Sequence, residues 1–113
     1  MFISQNVEMA GRPRPPHTEV ESINAIAARL RALRVALGLT QVDMANSIGS
    51  RSGAQMWANY EGAFRRISPD HVMALCRRYG VTMDWVYRGR PDMMPLELMQ
   101  RIREAEDKKR HQA

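Results

Sequence analysis

With 113 residues, 44% of them hydrophobic, 6% aromatic and nine of them methionine, the chain has material for one compact helical core and too little for two ordinary domains. Seventeen Lys and Arg against twelve Asp and Glu leave a net charge of +5, which favours a polyanionic partner, and a lone cysteine, Cys76, excludes an internal disulfide. No CxxC or His-x-x-x-His spacing offers a metal box, and no apolar run approaches a membrane span or a signal peptide, so the expected compartment is the cytoplasm. Along the chain, residues 1–17 hold Gly11, Pro13, Pro15 and Pro16 with Arg12 and Arg14 between them, and read as a flexible arm. Thr18-Glu19-Val20-Glu21 has the form of a capping box. Behind it Ile23, Ile26, Ala27, Leu30, Leu33 and Leu37 recur at helical spacing, predicting a helix from about Glu19 to Leu37 that Gly38 ends. Thr40 then caps a second helix carrying Val42, Met44, Ala45 and Ile48, stopped by Gly49.

A third, short helix is expected over Ala54 to Tyr60, with Trp57 and Tyr60 on its buried edge and Gly62 at its end. Ser68-Pro69 reads as a cap followed by proline at the first helical position. It opens a fourth helix that aligns Val72, Leu75, Cys76 and Tyr79 and stops at Gly80. Thr82 and Gly89 bracket a fifth around Trp85 and Val86, and a final helix is expected from Pro95 to about Lys108. The fold class is therefore all-α: a helical domain over residues 18–90 between the arm and a C-terminal helix and tail over residues 91–113.

Two helices joined by a short turn, the second polar on its outer face, are the minimum for placing a helix in the major groove of double-stranded DNA. Ala45 is small where the second and third helices must cross, and Gly49 can take the positive φ of a sharp turn. With Trp57 and Tyr60 turned inward, Gln55, Met56 and Asn59 are left on the other side. Amides suit adenine through paired donor and acceptor bonds, and an apolar Met56 suits a thymine methyl.

The order Arg34, Leu37-Gly38-Leu39-Thr40-Gln41, Met44-Ala45, Ile48-Gly49, Asn59-Tyr60-Glu61-Gly62 and Tyr79-Gly80-Val81-Thr82-Met83-Asp84-Trp85-Val86 resembles the Cro and phage-repressor (XRE) type of helix-turn-helix. The resemblance implies a five-helix, lambda-repressor-like DNA-binding domain that usually dimerises on a palindromic operator. It implies that Gln55 and Asn59 read bases and that Thr40 and Gln41, at the start of the second helix, face a phosphate. It implies too that Arg65 and Arg66 touch the backbone and that Arg34 and Glu61 form a structural ion pair. One departure stands out. The stretch from Gly49 to Glu61 exceeds the usual spacing by two residues, so either the turn Ser50-Arg51-Ser52-Gly53 is enlarged or the third helix begins early. An enlarged turn would bring Arg51 and Ser52 to the DNA backbone. An early helix start would aim Arg51 at guanine.

Other features have plainer readings. Trp57, Trp85, Tyr60 and Tyr79 fall at core spacings, Cys76 reads as a small hydrophobe, and Arg29 and Arg31 read as a solvated helix face. Asp43, Asp70, Asp84 and Asp92 read as cap or first-turn charges, and His17, His71 and His111 are scattered. Arg12 and Arg14 either enter a minor groove or belong to a tail without a role. On the last helix, the stripe Leu98, Met99, Ile102 and Ala105 either packs on its own domain or pairs with a second subunit, the second being expected of a protein that reads a two-fold site. Nothing assembles a catalytic triad, a metal centre or a cofactor loop, so neither an enzyme nor a cofactor is expected. The expected partner is double-stranded DNA. The alternatives are an antitoxin with a protein partner and an adaptor that binds protein on the same fold.

Overall fold

Six α-helices, with no strand among the described residues, follow a single 3-10 turn in the computed structural model, which describes residues 19–51 and 53–112 and side chains as far as Lys108. The arm over residues 1–17, Thr18 of the expected capping box, and Ser52 lie outside the described residues, as does the side chain of His111. The helix expected from Glu19 is divided. Glu19–Glu21 form the 3-10 turn, and α1 (Ile23–Ala36) starts after Ser22, whose extended backbone lets its Oγ accept the Ala25 N–H at 3.1 Å. The cap therefore lies immediately before the apolar run.

The remaining helices follow the local signals closely. Thr40 caps α2 (Gln41–Ser47) by accepting the Asp43 N–H, and Ser68 and Thr82 do the same for α4 (Pro69–Tyr79) and α5 (Met83–Arg88). Asp43, Asp70 and Asp84 sit in first turns, where the helix dipole favours a negative charge. Asp92 instead lies in the turn that precedes α6 (Leu96–Gln112).

The helix α3 (Gly53–Glu61) ends in a way the sequence does not announce. Ala63 N–H donates to the Tyr60 carbonyl and Phe64 N–H to the Asn59 carbonyl, a Schellman closure. Its left-handed residue is Ala63, at φ 61°, and not Gly62.

One continuous core joins all six helices. Ile26, Leu30 and Leu33 of α1 meet Met44 and Ala45 of α2, Trp57 and Tyr60 of α3, Val72 and Leu75 of α4, and Trp85 and Val86 of α5. Tyr79 and Cys76 pack against it half-buried, and burial raises the Cys76 thiol above its ordinary pKa. The C-terminal stripe is part of this core: Leu98, Met99 and Ile102 are buried, Ile102 completely, with α6 lying along α1. This corrects the expectation that these three residues face a second subunit. Their apolar area is already covered by the chain's own first helix, and only Ala105 remains half-exposed.

Arg29 is a second correction. Arg31 is exposed, but the Arg29 side chain is buried, donating from Nε to the Val86 carbonyl at 3.0 Å and from Nη2 to the Val20 carbonyl. Burial lowers its pKa from the ordinary guanidinium value, and the nearby charge of Glu106 opposes that shift. Gly89 completes this corner for two reasons. Its φ of +75° suits glycine, and a Cβ there would come within 3.0 Å of the Arg29 Nη1.

Candidate DNA interface

The two-helix unit is positioned from behind by Glu61, whose side chain is 6% exposed. Its carboxylate accepts from Arg34 Nε at 2.6 Å and Nη2 at 3.0 Å, from Gln41 Nε2 at 3.2 Å, and from the Trp57 indole N–H. Arg34 also donates to the Leu39 carbonyl at 2.9 Å, fixing the corner between α1 and α2. The ion pair expected of Arg34 and Glu61 is thus present, as a hub that also gathers Trp57 and Gln41. Ala45, 1% exposed, lets α2 and α3 cross closely. Tyr60 packs edge-on to Trp57 and shares a 2.6 Å hydrogen bond with His71 Nδ1, tying α3 to α4.

The turn between the two helices is enlarged. Gly49 takes φ 72°, its N–H donates to Asn46 and that of Ser50 to Ala45, and α3 begins only at Gly53. Arg51 is exposed in that turn.

On the outer side of α3, Gln55 is exposed and Asn59 half-exposed, and Gln55 Nε2 donates to Asn59 Oδ1 at 3.1 Å. The pairing leaves the Gln55 oxygen as acceptor and the Asn59 nitrogen as donor. Those are the groups that complement the N6 amine and N7 of adenine. Met56 departs from the expectation: it is half-buried and packs on the core, beside Ala45, Ile48, Trp57 and Tyr60.

Cations flank this face. Between Ser50 and Ser68 the charged residues are Arg51, Glu61, Arg65 and Arg66, and Glu61 is committed inward. Arg65 and Arg66 are exposed in the loop after α3, with Arg66 Nη1 donating to the Glu21 carbonyl at 3.2 Å. That bond brings the start of the described chain beside the loop. Thr40 is exposed and spent on its cap, and Gln41 is half-buried by its bond to Glu61. Among the described residues no group of His, Cys, Asp and Glu forms a metal cluster, and no helix is long and apolar enough to cross a membrane.

The pair α2 and α3, crossing at Ala45 with polar side chains outward and arginines at both ends, is the arrangement that a family model for a helix-turn-helix domain matches over residues 25–86. The chain belongs to the helix-turn-helix domain family. The match covers most of α1 to α5 and agrees with the XRE-type resemblance. Searches of curated proteins and of solved structures give no match. As a helix-turn-helix protein the chain is a DNA-binding regulator, a class that is typically not enzymatic. One part of the supporting hub is missed by the sequence alone: Trp57 as a partner of Glu61, whose signal is the i to i+4 spacing.

Proposed function

We propose that the protein is a cytoplasmic, sequence-specific repressor that reads a palindromic operator as a dimer, with α3 in the major groove of double-stranded DNA. The observation that carries this reading is the outer face of α3, where the Gln55–Asn59 amide pair lies between exposed Arg51 on one side and Arg65 and Arg66 on the other. In this reading Gln55 and Asn59 select bases, while Arg51, Arg65 and Arg66 hold phosphates without specifying sequence. Thr40 and Gln41 present the first backbone N–H groups of α2 to a phosphate, and the second amide N–H of Gln41 is free to join them while the first stays on Glu61. A two-fold operator calls for a two-fold protein, and the second copy must dock on a surface other than Leu98, Met99 and Ile102. Repression follows from occluding polymerase.

The test starts with selection of duplexes from a randomised pool by the full chain, followed by titration of the selected site. Gln55→Ala and Asn59→Ala should each lose about 1 to 3 kcal/mol at particular base pairs. Arg65→Ala and Arg66→Ala should weaken all duplexes alike and each reduce the slope of log K against log salt by about 1. A pool that returns no enriched site would defeat sequence-specific reading, and a non-palindromic site bound one chain at a time would defeat the dimer.

A further inference from the structure

Among the described residues Phe64 is, with Met93, one of the two most exposed large apolar side chains, with 82% of its surface open, and it lies in the loop between α3 and the two arginines. Its place is set by the closure of α3. In a Schellman closure the residue after the left-handed position frequently packs an apolar side chain on the residue whose carbonyl it caps or on the one before it. Here the Phe64 N–H caps the Asn59 carbonyl at 2.9 Å, and the polar Asn59 and small Ala58 leave the ring largely uncovered. The ring lies over Gly62, where a Cβ would come within 2.8 Å of Cδ2 and Cε2, and so stands next to the C-terminal end of α3, the helix that carries Gln55 and Asn59. An isolated exposed phenylalanine with no acidic neighbour in its loop, followed directly by Arg65 and Arg66, suits a surface that is anionic at its phosphates and apolar between them.

We propose that Phe64 is a DNA-contacting residue, its ring packing on the apolar edge of the duplex beside the bases read by Asn59: thymine 5-methyl groups or deoxyribose carbons. This gives the loop the apolar contact that sequence spacing assigned to Met56, which is turned to the core. The proposal rests on the DNA-binding reading and adds a residue to it. The arginines deliver the phosphate backbone to the loop, and the ring fills the space between phosphates that cations cannot fill. An apolar contact of this kind displaces no counterions, so its signature differs from that of its neighbours.

The experiment uses the full chain, the selected duplex, and a duplex of the same sequence with uracil in place of thymine. Phe64→Ala should bind the selected duplex about tenfold more weakly, a factor that corresponds to about 1.4 kcal/mol. Its salt slope should equal the parent's, and its thermal melt should be unchanged because the ring is exposed. Phe64→Leu, which keeps apolar bulk, should recover most of the loss and covers the case of an alanine variant that folds poorly. If the contact is to thymine methyl groups, the gap between parent and Phe64→Ala closes on the uracil duplex, and if it is to deoxyribose, the gap persists. Phe64→Ala and Phe64→Leu both binding like the parent, while Asn59→Ala and Arg65→Ala still weaken binding, would overturn this proposal alone. Absence of salt-dependent duplex binding by the parent would overturn it together with the reading on which it rests.

Discussion

Ala63 holds a conformation that costs an L-residue roughly 1–2 kcal/mol, because at φ 61° its Cβ crowds the following carbonyl. Glycine escapes that clash but loses more chain entropy on folding, about 0.5–1 kcal/mol. Ala63→Gly should therefore stabilise the protein by about 0.5–1 kcal/mol, seen as a higher urea midpoint at unchanged slope. A lower midpoint would show that the left-handed turn is not strained. Arg29 makes the opposite case. Its removal strips the buried Val86 carbonyl and the part-buried Val20 carbonyl of their donor, a buried group left unpaired costing about 1–3 kcal/mol. Arg29→Ala should lower stability by about 3 kcal/mol in urea unfolding, and Arg29→Lys should restore only part, because one ammonium cannot reproduce the fork that reaches Val20 and Val86. An arginine-to-alanine loss below 0.5 kcal/mol would return Arg29 to the solvated face that periodicity suggested.

At the scale of elements, the caps and stops were legible because their chemistry is local. Thr40, Ser68 and Thr82 each bond an N–H three residues on, and Gly80 and Gly89 take left-handed φ just past their helices. What was hidden depends on residues far along the chain. Arg29 and Val86 are 57 residues apart, so no window of sequence shows that this arginine is buried. The helix α3 does stop before Gly62 as expected, but its left-handed closing residue, Ala63, carries no local signal. Of the candidate site, the amides and the flanking arginines were readable as a polar face with basic ends, whereas the inward turn of Met56 depends on how α3 packs against α2 and the exposure of Phe64 on the closure that ends α3. The hub at Glu61 gives this scale its prediction. Removing one partner from a largely buried ion pair costs about 3–5 kcal/mol, and here Trp57 and Gln41 lose their acceptor as well. Glu61→Ala should lose at least about 3 kcal/mol by denaturant unfolding, with Glu61→Gln intermediate because it keeps an oxygen acceptor. Equal stabilities of Glu61→Gln and the parent would show that charge contributes nothing to the hub.

At the scale of the whole molecule, α6 decides whether the domain ends at α5 or includes the last helix. An apolar stripe on a C-terminal helix reads the same in sequence whether its own chain or a second copy covers it. The structure covers it with α1, the helix that also carries Arg34 to the Glu61 hub, so α6 buttresses the α2–α3 pair through α1. Ile102 is completely buried in that contact, and Ile102→Ala should cost about 2–5 kcal/mol through lost burial and the cavity left behind. The sharper part of the prediction concerns concentration. Packing within one chain is independent of dilution, whereas a seam between two chains makes apparent stability fall as the dimer dissociates. Thermal melts of parent and variant across a hundredfold range of protein concentration should therefore keep a constant gap in Tm. A gap that narrows on dilution would mean that Ile102 meets a second copy in solution, and the core drawn here would have to open at α6.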